Sequence, residues 1–138
     1  MVIYRILADL TVTLHAAFVG FALFGQAAVL YGVARRRDWA RNPWFRWSHL
    51  GAILFIVVLT WSGSMCPLTV WENNLRERAG EAAYPGDFIA YWVRELLFYD
   101  LPTRVFFWAY SLFGAIVLLT FVLAPPRWPS LNKGRAPR

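Results

Sequence analysis

Cysteine is nearly absent from this chain of 138 residues: Cys66 is the only one. A lone thiol excludes an intrachain disulfide and a thiolate metal cluster, and as a nucleophile it would need a nearby base and a depressed pKa. Charge is scarce as well, 16% of residues against 59% hydrophobic, and the mean hydropathy is positive. That balance is too apolar for an ordinary soluble domain. No internal repeat, low-complexity segment or lipidation motif stands out, and the N-terminus lacks the short apolar core and strongly basic flank of a cleaved signal. The length suits one compact unit and is too short for two, so residues 1–138 are read as a single transmembrane domain. A net charge of +6 invites a nucleic-acid partner. The charges lie outside the long apolar runs, however, as topology determinants and headgroup contacts do. The expected partner is the lipid bilayer, and no nucleic acid is expected.

What is present is three apolar runs long enough to cross a hydrocarbon core, which takes roughly 20 residues each. They cover about 4–33, 47–65 and 105–124, the last stopped by Pro125-Pro126, which cannot continue a helix. The loop after the first run holds Arg35, Arg36, Arg37, Arg41 and Arg46 against Asp38. The tail 125–138 holds Arg127, Lys133, Arg135 and Arg138. The loop 66–104 is net acidic. Three crossings put both basic segments on one side, and the positive-inside rule makes that side cytoplasmic. The expected arrangement has the N-terminus and the loop 66–104 outside and the C-terminus in the cytoplasm.

Residues 87–101 tempt as a fourth span but reach only about 22 Å at helical rise, short of the roughly 30 Å core. Asp87, Tyr91, Arg94 and Glu95 share one side and Phe88, Trp92, Leu96 and Tyr99 another, which predicts an amphipathic helix at the outer interface. Tryptophans fall near both boundaries, as in aromatic belts, with Trp61 the exception inside span two. Ala16, Gly20, Ala28 and Gly32 form a four-residue stripe on span one, and Ser111 and Ala115 a shorter one on span three. Such stripes let helices approach closely.

Ionisable groups at membrane depth are costly and each is a functional candidate. His15 lies near the middle of span one and suits a haem or chlorin ligand or a hydrogen bond to a quinone. The plainer expectation is a neutral imidazole bonded to the Thr11 hydroxyl or a backbone carbonyl. His49, at the inner end of span two, lies roughly 13 Å from His15 in depth at helical rise, so the two cannot ligate one haem. It is expected at the interface, capped by headgroups or water. Asp9 near the outer end is expected to bond Thr13, Ser62 or Ser64, or to pair with Arg76 or Arg104. No acidic residue follows toward the cytoplasm, so a proton relay has little support. The Cys66–Arg76 segment gathers a thiol, a hydroxyl and a carboxylate. Thr69 and Glu72 match a capping box, Glu72 and Arg76 an i,i+4 pair, and Gly80 a left-handed stop, with Pro67 ending the preceding span. Cys66 is expected about 10 Å from His15 in depth and buried as a small packing residue.

Leu7-Ala8-Asp9-Leu10 with His15 and Phe18, then Gly25, His49, Cys66-Pro67-Leu68-Thr69, Glu72, Leu75-Arg76, Ala79-Gly80, Tyr84, Phe88-Ile89 and Tyr99 resemble a family of small bacterial membrane proteins, domain of unknown function 2784. The resemblance runs to about Ala124, and the Cys-Pro-Leu-Thr…Glu…Leu-Arg segment is its specific part. It implies a multi-pass inner-membrane protein and no particular activity. Similar proteins often carry a glycine-tryptophan pair and an acidic residue before the cysteine, where this chain has Val57 to Trp61. The expected fold is all-α: three transmembrane helices, a short capped helix and an outer interfacial helix. The leading functional expectation is a non-enzymatic accessory or scaffolding subunit packed against a larger membrane complex, with no bound cofactor. The alternatives are a redox or pigment-associated protein holding a haem, chlorin or quinone at His15, and an outer-face enzyme using Cys66 and Glu72.

Overall fold

The structure, a computed structural model, describes residues 1–128; Lys133, Arg135 and Arg138 lie outside them. Among the described residues it is all-helical. The elements are α1 (Val2–Ala34), a 3-10 turn (Asp38–Arg41), α2 (Pro43–Ser62), α3 (Pro67–Arg78), α4 (Phe88–Leu97) and α5 (Thr103–Leu123). Three of them, α1, α2 and α5, are long and apolar enough to cross a membrane.

The surface of these three is apolar. Leu23, Phe24, Val122 and Leu123 are more than half exposed. In water such surface would drive association, whereas against lipid tails it is at no disadvantage. The buried core is correspondingly small: Ala22, Leu50, Ile53 and Val117, flanked by Ile56, Val57, Phe113 and Phe121.

Span two starts earlier than its apolar run suggests. Pro43 opens α2 with its φ already helical, and the Asn42 side chain accepts from the Trp44 and Phe45 amides at 3.0 and 3.4 Å. The span also ends earlier, at Ser62, where Gly63 turns left-handed at φ 67°. Pro67 therefore does not end a transmembrane helix; it begins α3 at the first helical position. Gly80 does supply the stop for α3. At φ 79° it lets the Glu81 amide reach back to the Arg76 carbonyl at 2.9 Å, the six-to-one bond of a left-handed helix end.

The spans meet through small residues, of which only Gly32 of the expected stripe is fully buried. Ala16 is exposed, and the buried seam of α1 is Ala8, Thr11, His15, Ala22, Gly25, Gln26, Val29 and Gly32. A Cβ on Gly25 would stand 2.6 Å from the His49 ring, and one on Gly114 2.7 Å from Val57. Both glycines thus admit a neighbouring side chain that alanine would displace. The α5 stripe behaves similarly: Ser111 accepts from the Trp61 indole at 3.0 Å, which explains that tryptophan's depth, but Gly114 rather than Ala115 makes the close approach.

At about 1.5 Å per residue, α1 is near 50 Å long, well beyond the hydrocarbon core of roughly 30 Å. Its C-terminal half packs on α2, and its N-terminal half is covered by α3, running antiparallel to it. Arg76 approaches Asp9 at 3.8 Å, Arg78 lies over the Tyr4 ring, and Arg5 pairs with Glu81. At the opposite end the Arg127 amide donates to the Arg41 carbonyl at 2.9 Å. The basic connection after α1 and the start of the basic tail therefore meet at one end of the bundle.

Candidate functional site

Helix α3 carries Thr69 and Glu72 on its buried side, with relative exposures of 0% and 1%. They do not form a capping box. Because Pro67 starts the helix, Cys66 occupies the cap position without a side-chain bond, and Thr69 falls inside the first turn. Glu72 points away from the helix start. It accepts from Arg76 Nε at 2.8 Å and from the Tyr84 hydroxyl at 2.5 Å. A buried carboxylate is costly unless paired and hydrogen-bonded, and these two donors meet that need.

The network extends outward. Arg76 Nη1 donates to Glu81 at 3.1 Å, and Asn73 donates to the Tyr84 carbonyl at 3.2 Å. Burial favours loss of the Arg76 proton, but the bonds and charges of Glu72 and Glu81, with Asp9 beyond, outweigh it and raise its pKa. Burial, then the hydrogen bond and charge of Glu72, push the Tyr84 phenol well above its ordinary value. Residues 81–87 are thereby strapped across α3, which brings Asp87 and Phe88 back toward α1.

Beneath this strap lies a cleft of about 300 Å³, walled by α1, α2, α5 and the starts of α3 and α4. Phe18, Phe55, Phe106 and Phe107 give it an aromatic lining, and His15, Cys66, Thr69, Asp87 and Tyr110 bring polar groups to it. The His15 ring stacks on Phe88, centroids 4.1 Å apart and planes at 22°. His15 is 5% exposed, and both its Nδ1 and Thr69 Oγ1 are buried without a hydrogen-bond partner among the described residues. The expected bond to Thr11 is not made; that hydroxyl donates to the Leu7 carbonyl at 2.8 Å. Nearly every buried polar group in a folded protein has a partner, and both of these exceptions belong to residues that line one cleft.

The other candidates separate from this site. Asp9 is largely exposed beside Arg76, and Thr13 donates to its backbone carbonyl rather than to its carboxylate. His49 is not capped by headgroups or water. It is 2% exposed, and its Nε2 donates to the Ala22 carbonyl at 2.9 Å between Phe21 and Phe45. A carbonyl only accepts, so the proton must be on Nε2. Cys66 is half-buried and lines the same cleft as His15. The helix α2 ends at Ser62, and the next four residues cross to α1, where α3 packs. Among the described residues no group of three or more His, Cys, Asp or Glu can hold a metal.

Two functional partners were not foreseen. Tyr84 sits 12 positions from Glu72 in a loop with no periodic pattern. Arg46, expected in a solvated loop, is 3% exposed inside α2. Its Nη2 donates to the Thr120 and Ala124 carbonyls at 3.0 and 2.8 Å, with its guanidinium over Phe121. The available signal was Pro125-Pro126: a helix stopped there leaves its last carbonyls open, and a nearby arginine can cap them.

Comparison with known proteins agrees with the residue pattern. Residues 5–126 match the family model described as Protein of Unknown function (DUF2784). No curated protein and no solved structure matches the chain.

Proposed function

The chain belongs to the DUF2784 family, and we propose that it is a non-enzymatic membrane module whose α3-side cleft binds a small amphipathic molecule. The observation that carries this reading is the pair of unpartnered polar groups, His15 Nδ1 and Thr69 Oγ1, on residues lining an otherwise aromatic cleft. Small-molecule sites have this character: apolar walls, few polar groups and volumes from roughly 300 Å³ upward. Glu72 supports the non-enzymatic part, because its oxygens already accept from Arg76 and Tyr84. The convergence of the arginine-rich connection with the start of the tail favours a cytoplasmic placement of that end in a bacterial inner membrane, which leaves the cleft in the outer leaflet.

Native mass spectrometry after mild extraction tests the binding reading. The expected result is a retained lipid-soluble molecule at one per chain, lost in His15→Phe. A bare protein, with Cys66 alkylated equally fast in native membranes and after delipidation, would overturn it. An absorption band of a haem or chlorin would instead make the occupant a tetrapyrrole held at His15.

A second reading, an accessory subunit docked on a larger membrane complex, draws on α5. That helix packs mainly on α2 and leaves Leu112, Leu119, Val122 and Leu123 bare. Co-purification of a stoichiometric membrane protein from native membranes supports it; a lone monomer in every mild detergent counts against it.

A further inference from the structure

The cleft's chemistry narrows its occupant, and on the reading that it binds a small molecule, we infer that it takes the ring of a quinone or its quinol. Four features point there. The lining rings of Phe18, Phe55, Phe106 and Phe107, with Phe88 stacked on His15, suit a flat ring, which packs offset or edge-on against aromatic neighbours. The two unpartnered groups are an imidazole and a hydroxyl, each able to donate or accept. Both atoms have almost no accessible surface, so a rotation of the lining side chains is needed to bring them to the carbonyl oxygens of a quinone or the hydroxyls of a quinol.

Among the described residues no lysine or arginine lines the cleft, and its one charged residue is Asp87. A phosphate or carboxylate headgroup would enter without a counter-charge, at the cost of burying an unpaired anion. A quaternary ammonium would suit Asp87 and the aromatic faces, but it carries no hydrogen-bonding group and would leave His15 and Thr69 unsatisfied. The cleft is also walled by Phe55 to Thr60 of α2 and Phe106 to Tyr110 of α5, both within apolar spans. Its occupant thus arrives from the bilayer and carries an apolar tail, and the size suits a single ring.

Cys66, the chain's one thiol, lies on the cleft wall and serves as the reporter. The full chain in quinone-free lipid nanodiscs is titrated with decylubiquinone, whose fully substituted ring offers no position for ready thiol addition. The rate of Cys66 alkylation by a neutral maleimide is read. The expected result is saturable slowing by the quinone and none by decanol, dodecyl phosphate or dodecyltrimethylammonium. Thr69→Val should raise the half-saturating concentration about tenfold, and Thr69→Ser should restore it, as expected for one buried hydrogen bond. Saturable slowing by decanol, the phosphate or the ammonium instead overturns the quinone assignment while sustaining the cleft as a binding site. Slowing by none of the four, with no molecule retained on extraction, overturns both. Slowing that rises linearly with quinone and is unchanged in Thr69→Val reports partition into lipid and likewise overturns the assignment. The wild-type titration stands without any variant, so a poorly folding substitution does not remove the test.

Discussion

At the arginine end of the bundle, His49, Gln26 and Arg46 are buried among the spans and each directs its polar atoms to another helix. His49 bonds the Ala22 carbonyl, Gln26 the Thr120 hydroxyl at 2.9 Å, and Arg46 two carbonyls of α5, with only its Nη1 left over. At the α3 end, His15 and Thr69 are buried as deeply, yet His15 Nδ1 and Thr69 Oγ1 bond to nothing, and both residues border a cleft. Polar groups in a membrane bundle thus serve two ends. Where helices close on each other, satisfied groups fix their register; where they stay apart, the two unsatisfied groups belong to residues that border a cleft. Glu72 stands between the two regimes, fully paired yet beside the cleft.

The comparison can be broken most forcefully at Glu72. Glu72→Leu leaves Arg76 and Tyr84 without their acceptor and should cost about 3–5 kcal/mol, the range for removing one member of a buried pair. Denaturation in mixed micelles measures it. A cost under about 1 kcal/mol would return Glu72 to a capping role. Arg46→Met should cost about 2–3 kcal/mol, from two charge-assisted bonds and the carbonyls left behind, with hydrogen exchange rising at the last turn of α5. Gly25→Ala should cost about 1–3 kcal/mol by overpacking against His49, and His49→Ala in the same chain should recover part of it.

Tyr84→Phe should cost about 1 kcal/mol, the worth of a typical hydrogen bond, and it also has a pH signature. The folded state raises the phenol pKa, so it favours the protonated form. The advantage of wild type over Tyr84→Phe should therefore be full below the ordinary phenol value of about 10 and shrink as pH rises above it. Thermal unfolding of both proteins across the alkaline range reads this out, and a gap that widens with pH would reverse the assignment. The smallest effect sharpens the comparison most. Thr69→Val removes an unpaired buried hydroxyl, so stability should stay within about 1 kcal/mol of wild type or rise while binding falls. A large loss of stability would mean that the hydroxyl has a structural partner after all.

Much of the architecture was legible along the chain. Apolar run lengths gave three spans, Gly80 marked the end of α3, and the Glu72–Arg76 spacing predicted a bond that forms. The site was legible only in pieces. His15, Cys66, Thr69 and Glu72 each stood out, but nothing along the chain showed that His15, Cys66 and Thr69 border one cleft. The second span was expected to run to Met65, whereas Gly63 ends the helix region and the chain crosses to α1. The capping box failed for a related reason. Pro67 can stop one helix or begin the next, and its neighbours alone do not say which.

The sequence by itself determined the number of apolar spans, the left-handed stop at Gly80 and the family, because each depends on local run length, backbone preference or residue pattern. The tertiary structure decided what the polar residues do. Glu72 found Tyr84, Arg46 found the end of α5, and His15 and Thr69 found no partner but a shared cleft. Those outcomes depend on which faces of distant helices meet, and a buried hydrogen bond is made or missed by displacements of about an ångström, far finer than any periodicity along a chain can specify.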